Sequence, residues 1–137
     1  MPNAKKLGGI KGQSFVRRCG QGTVIAGGWV VGPGNSYDLS TYGTSFDEAQ
    51  GAFFGCKPVQ EVLTRRDSAG KYMVAFHPDR RNTWVAIGNV DNTYGNHDDA
   101  LISVGTALNT AVGTAYSIEI RKADGTPVDT PFSIYVY

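Results

Sequence analysis

The side chains with the greatest chemical potential in this sequence are few. Asp91, Asn92, Asn96, His97, Asp98 and Asp99 place six oxygen or nitrogen donors around Gly95, and calcium favours clustered oxygen ligands. Their order is not that of an EF-hand loop, and Asp, Asn and Gly also build ordinary turns. The expected reading is a solvated loop with no metal assigned. The histidines are His77 and His97. A hydrolase needs a nucleophile, a base and an orienting acid brought together, and no spacing selects a dyad of either histidine with Cys19 or Cys56. Adjacent carboxylates such as Asp47 and Glu48, or Asp98 and Asp99, point to opposite sides of a regular strand. There is no GxSxG, no phosphate-cradling GxxxxGK and no dinucleotide fingerprint after a strand. A noncatalytic protein without a cofactor is expected.

The two cysteines lack CxxC or Cys/His zinc spacing. The start MPNAKKLGG lacks the apolar core of a secretory signal, so both are read as small buried thiols rather than a disulfide. No run approaches the roughly 18 apolar residues of a bilayer span, so no membrane partner is expected. Arg65, Arg66, Arg80 and Arg81 raise the question of nucleic acid. The two pairs sit at opposite ends of the strands expected between them, however, and the aromatics that would stack bases fall at core positions, so nucleic acid is not the expected partner.

These residues must be carried by a small, turn-rich body. The chain has 137 residues, 18 of them glycine, with 41% apolar and 18% charged residues, which suits one domain with many turns. The net charge is +1, yet Lys5, Lys6, Lys11, Arg17 and Arg18 stand without an acid in the first 18 residues. Residues 1–14, MPNAKKLGGIKGQS, show no periodicity and read as a flexible basic arm with Leu7 and Ile10 as apolar anchors. Residues 15–137 read as the β domain. The arm's charge can attract an acidic surface even though the total is near zero.

In the domain, GTVIAGGWVV reads as a strand bent at Gly27 and Gly28, with Trp29 in the core. GPGNS at 32–36 is a turn. Residues 45–51 hold the one expected helix, short, with Ser45 and Glu48 as a capping box and Gly51 as its end. The cluster Tyr37, Tyr42, Phe46, Phe53 and Phe54 is read as core or subunit contact. KPVQEVLTRR at 57–66 reads as a strand leading through a tight turn at 67–70 into Gly70–Asn89. There Tyr72, Val74 and Phe76, then Thr83, Val85 and Ile87, alternate with their neighbours as two strands of a hairpin closed by Pro78, Asp79 and Asn82. A second hairpin is expected from AYSIEIR at 115–121 and PFSIYVY at 131–137. The class is mainly β: a single β-sandwich or small β-barrel with one short helix and an extended N-terminal arm.

The segments GKYMVAFHPDRRNTWVAIGN and SIEIRKADGTPVDTPFSIYVY resemble small virion proteins of tailed bacteriophages, particularly capsid decoration (cement) proteins. The resemblance covers about half of the chain. It implies a compact β module on a capsid lattice, with the arm reaching along a neighbouring subunit. The expected partners are a major capsid protein or other virion protein and further copies of the chain, and the expected location is the virion after synthesis in the host cytoplasm. Lys5, Lys6, Leu7, Ile10 and Lys11 are the expected partner-binding residues. A tail or baseplate role is the nearest alternative. A carbohydrate-binding β-sandwich using Tyr42 and Tyr94, with the 91–99 loop holding calcium, is the alternative from a different class.

Overall fold

The computed structural model describes residues 6–7, 10–11, 24–55, 61–77, 86–91, 99–110 and 113–137. Eleven strands are present among them: β1 (Lys6–Leu7), β2 (Ile10–Lys11), β3 (Ala26–Val31), β4 (Asp47–Glu48), β5 (Gln50–Gly55), β6 (Glu61–Ser68), β7 (Lys71–His77), β8 (Ala86–Val90), β9 (Ala100–Thr110), β10 (Gly113–Lys122) and β11 (Phe132–Val136). Two sheets make the body, a five-stranded one ordered β4-β6-β7-β10-β9 and a four-stranded one ordered β5-β3-β11-β8. Every pairing is antiparallel. The mainly β, sandwich-like architecture expected from the alternation is therefore present. Among the described residues, β1 and β2 pair only with each other, Lys6 opposite Lys11 and Leu7 opposite Ile10.

Alternation builds the core directly. Tyr72, Val74 and Phe76 of β7 and Tyr116, Ile118 and Ile120 of β10 turn inward from one sheet, meeting Ala26, Val30, Phe132, Ile134 and Val136 from the other. At roughly 1.5–3 kcal/mol for each large side chain fully buried, this layer is the main stabilising term. Tyr72 and Phe132 cross it with ring centroids 5.6 Å apart. Gly88 of β8 faces Ile102 and Val104 of β9, bringing those two sheet edges together on one side of the sandwich.

The expected strands are largely present, but their pairing differs. β7 pairs with β6 and β10, while β8 pairs with β11 in the other sheet, so Gly70–Asn89 is not a hairpin. The 57–88 meander keeps only its β6–β7 half. β10 and β11 likewise lie in different sheets, and the second hairpin is also corrected. A period of two identifies a strand but not its partner, and segment 123–131 is long enough to span the roughly 10 Å between packed sheets. The tight turn into β7 is present: Gly70 has φ 68°, a left-handed conformation that glycine adopts without strain.

The helix at 45–51 is absent. Asp47 and Glu48 form β4 opposite Thr64 and Leu63, and Gly51 sits in β5 opposite Val30. A helix that short has little cooperativity in its favour, whereas β6 offers backbone partners. Single-turn 3-10 helices occur instead at Pro33–Asn35 and Leu39–Thr41, the second capped by Asp38, whose Oδ1 accepts from the Ser40 amide at 2.9 Å. Nor does β3 bend between sheets at Gly27 and Gly28. It runs unbroken in one sheet, and a Cβ on Gly27 would come within 2.6 Å of the Ile134 carbonyl oxygen, 3.0 Å of Tyr135 and 3.2 Å of the Phe54 ring. That glycine makes room for aromatic neighbours.

Candidate functional site

The two outer faces of the sandwich differ in chemistry. On the four-stranded sheet, the registers align Phe54, Gly27, Tyr135 and Ile87 in one row across β5, β3, β11 and β8. The adjacent row is Ala52, Trp29, Ser133 and Asn89. None of these eight positions carries a charge. Phe54 is 48% exposed and Ile87 52%, with Tyr135 half-buried between them and its ring 6.2 Å from that of Phe54. Because Gly27 has no side chain, the two rings approach across β3. Trp29 therefore belongs to this outer face and not to the core, contrary to expectation. It is half-buried, 6.3 Å from the Tyr37 ring, and its Nε1–H donates to Asp91 Oδ2 at 2.8 Å.

The opposite face is charged with both signs. Arg65 lies over the Phe46 ring at 4.8 Å and pairs with Asp67 at 2.8 Å, and Arg121 pairs with Glu119. Two shallow depressions of about 350 and 340 Å³ lie along β9 and β10 on this face, sharing Ser103 and Glu119.

A polar cluster closes one end of the core. The Asp129 carboxylate accepts from Arg66 Nε at 3.1 Å and Nη2 at 2.8 Å, from the Gly70 amide at 3.0 Å, and from the Tyr72 hydroxyl. Partial burial alone would raise the Asp129 pKa, but the Arg66 bonds, the Gly70 amide and the Tyr72 hydroxyl outweigh it and hold the carboxyl below its usual range. Burial, then the Asp129 hydrogen bond, pushes the Tyr72 hydroxyl well above an ordinary phenol. The hydrogen bond to Asp129 raises the Arg66 guanidinium further. Through these bonds the cluster acts as a latch joining segment 123–131 to the β6–β7 turn.

The expected site residues fall as follows. Lys6, Leu7, Ile10 and Lys11 supply the β1–β2 ladder, whose backbone alone is described, and Lys5 lies outside the described residues. So do Cys19, Cys56, Pro78, Asp79, Arg80, Arg81, Asn82, Tyr94 and His97, and of the 91–99 loop only Asp91 and Asp99 are described. The Asp91 carboxylate is used by Trp29, and its amide donates to Pro131 O at 2.9 Å. Among the described residues, no group of three or more His, Cys, Asp or Glu is placed to hold a metal. Arg65 and Arg66 are both engaged in ion pairs, on Asp67 and Asp129.

The tyrosine proposed for a sugar platform is corrected. Tyr42 is buried at 6% exposure, its hydroxyl donating to Val31 O at 2.6 Å and accepting from the Gln50 amide at 3.0 Å. Burial pushes its hydroxyl pKa up. The uncharged outer face was the feature that sequence reasoning missed. Its signal was present in the alternating Phe54, Trp29, Tyr135 and Ile87, but alternation does not say which side of a strand meets the other sheet.

Comparison with protein-family models, curated proteins and solved structures gave no match. The fold and surface define a two-sheet antiparallel β-sandwich with one outer face charged with both signs and another on which two adjacent rows, partly aromatic, carry no charge.

Proposed function

We propose that the protein is a noncatalytic virion structural protein that binds and stabilises a phage capsid lattice. The observation that carries this reading is the uncharged row Phe54, Tyr135 and Ile87. Interface centres are depleted in charge and enriched in aromatics, and three large side chains, from β5, β11 and β8, aligned in one row present one contact area rather than scattered exposure. In this reading the face docks on a virion protein, and the basic residues Lys5, Lys6 and Lys11 with Leu7 and Ile10 extend the contact along a neighbouring subunit. Modest contacts per copy become strong when many copies engage a repetitive surface.

The test is occupancy on particles, measured by mass spectrometry of separated heads and tails and then by rebinding of purified protein. Phe54→Ala with Tyr135→Ala, and separately deletion of residues 1–14, should leave the sandwich folded and lower head occupancy. Full occupancy by both variants refutes the docking assignment, and recovery from tails alone moves the protein to a tail or baseplate role. The carbohydrate-binding alternative loses Tyr42 to the interior.

A further inference from the structure

Ala75 of β7 and Ala115 of β10 are each 0% exposed, yet neither belongs to the buried core cluster. Alternation puts both on the outer face of the five-stranded sheet, since Val74, Phe76 and Tyr116 turn inward. The register sets them side by side, one step beyond the Tyr116–Val74 pair. A methyl group on the outside of a sheet is buried only by what lies beside it or above it. Beside Ala115 stand Gly113 and Ser117 on its own strand, Ala107 opposite on β9 and Ala75 on β7, all too small to close over it. Ala75 adds Leu63 across β6 and Met73 on its own strand, both half-buried. A covering segment therefore lies on this seat of small residues. The structure is of one chain, so the cover is its own.

The described loops lie elsewhere. Residues 32–46 reach the β4 side, where Phe46 meets Arg65, and 123–131 sit beside Gly70 at the far end of β7. Among the other connections, 92–98 joins strand ends at that same far end, where Ala100 pairs with Lys122, and 111–112 only closes the β9–β10 pair. Segments 56–60 and 78–85 are held at both ends, and each must cross about 10 Å from one sheet to the other. Residues 1–23 are tied only where β3 begins, and 12–23 alone can extend about 40 Å. They also carry Leu7, Ile10, Phe15 and Val16, apolar side chains able to rest on methyl groups.

We infer that in the free protein residues 1–23 fold back over the outer face of their own five-stranded sheet and cover Ala75 and Ala115. Any partner that takes up the arm must then compete with this seat, which restrains the arm until a better surface is offered. The inference does not depend on the capsid reading, because it concerns the free protein and is read without particles.

Alanine-methyl NMR of the full chain tests it. The Ala75 and Ala115 methyls should show NOE contacts to protons of residues 1–23. They should also resist broadening by a soluble paramagnetic agent that broadens the exposed Ala52 methyl. Ala115→Glu would put a carboxylate under the cover and free the arm. Trypsin cleavage after Lys11, Arg17 and Arg18 should then run about tenfold faster, since cleavage of a segment that opens and recloses follows its open population. Methyl contacts to 56–60 or 78–85 in place of 1–23, or broadening equal to that of Ala52, overturn the inference. So do contacts between labelled and unlabelled copies, which an arm from a second chain would give, and unchanged arm cleavage in a folded Ala115→Glu protein. Where Ala115→Glu fails to fold, the wild-type methyl contacts decide alone.

Discussion

Removing the Asp129 carboxylate should cost more stability than any other single side-chain truncation outside the apolar core. Asp129 and Arg66 side chains are 19% and 23% exposed, and Tyr72 is 1% exposed. Breaking a fully buried pair from one side costs about 3–5 kcal/mol because the remaining charge is stranded. Here Arg66 recovers part of its hydration, but the Tyr72 hydroxyl is left without its acceptor, at about 1–3 kcal/mol. Asp129→Ala should therefore lose roughly 3 kcal/mol. Asp129→Asn should lose less, because Oδ1 still accepts from Gly70 and Tyr72 while its amide group faces Arg66 Nη2 donor to donor. Urea denaturation at pH 7 measures both losses.

Acid dependence checks the cause. The folded Asp129 pKa lies below the unfolded value, so the unfolded chain binds the proton more readily. Its stabilisation is complete above about pH 4 and is lost as pH falls through the lower folded value. Asp129→Asn should remove that part of the acid slope. A loss under about 1 kcal/mol in Asp129→Ala, or a wild-type acid slope retained in Asp129→Asn, would refute the latch as a stabilising element.

Further outcomes follow from the same geometry. Tyr72 titrates above its ordinary value when folded, so its contribution is whole below about pH 10 and is lost as pH rises beyond it; Tyr72→Phe should flatten the alkaline limb of stability against pH. Tyr42→Phe removes a hydroxyl that joins Val31 O to the Gln50 amide and should cost about 1–3 kcal/mol in denaturant. Trp29→Phe loses the bond to Asp91 while keeping an aromatic ring, and should cost about 1 kcal/mol, with faster amide exchange at Asp91.

What the sequence alone determined is local. Period-two alternation identified the strand character of Tyr72–Phe76, Tyr116–Ile120 and Phe132–Val136 and their inward residues. The Asp67–Gly70 composition identified the turn whose positive φ is now visible at Gly70. The absence of acids from the first 18 residues marked the basic arm as distinct in charge. Tertiary structure decided everything that depends on which strand meets which. Gly70–Asn89 divides between two sheets because burying both strands' apolar faces against opposing layers outweighs pairing them locally. The capping signal at Ser45 yields to pairing of Asp47 and Glu48 with β6. Arg66 and Asp129, 63 residues apart, meet only because segment 123–131 crosses between the layers beside Gly70. The row on the outer face was likewise decided by tertiary structure: Phe54, Tyr135 and Ile87 come together because strand register, which no single strand encodes, aligns them.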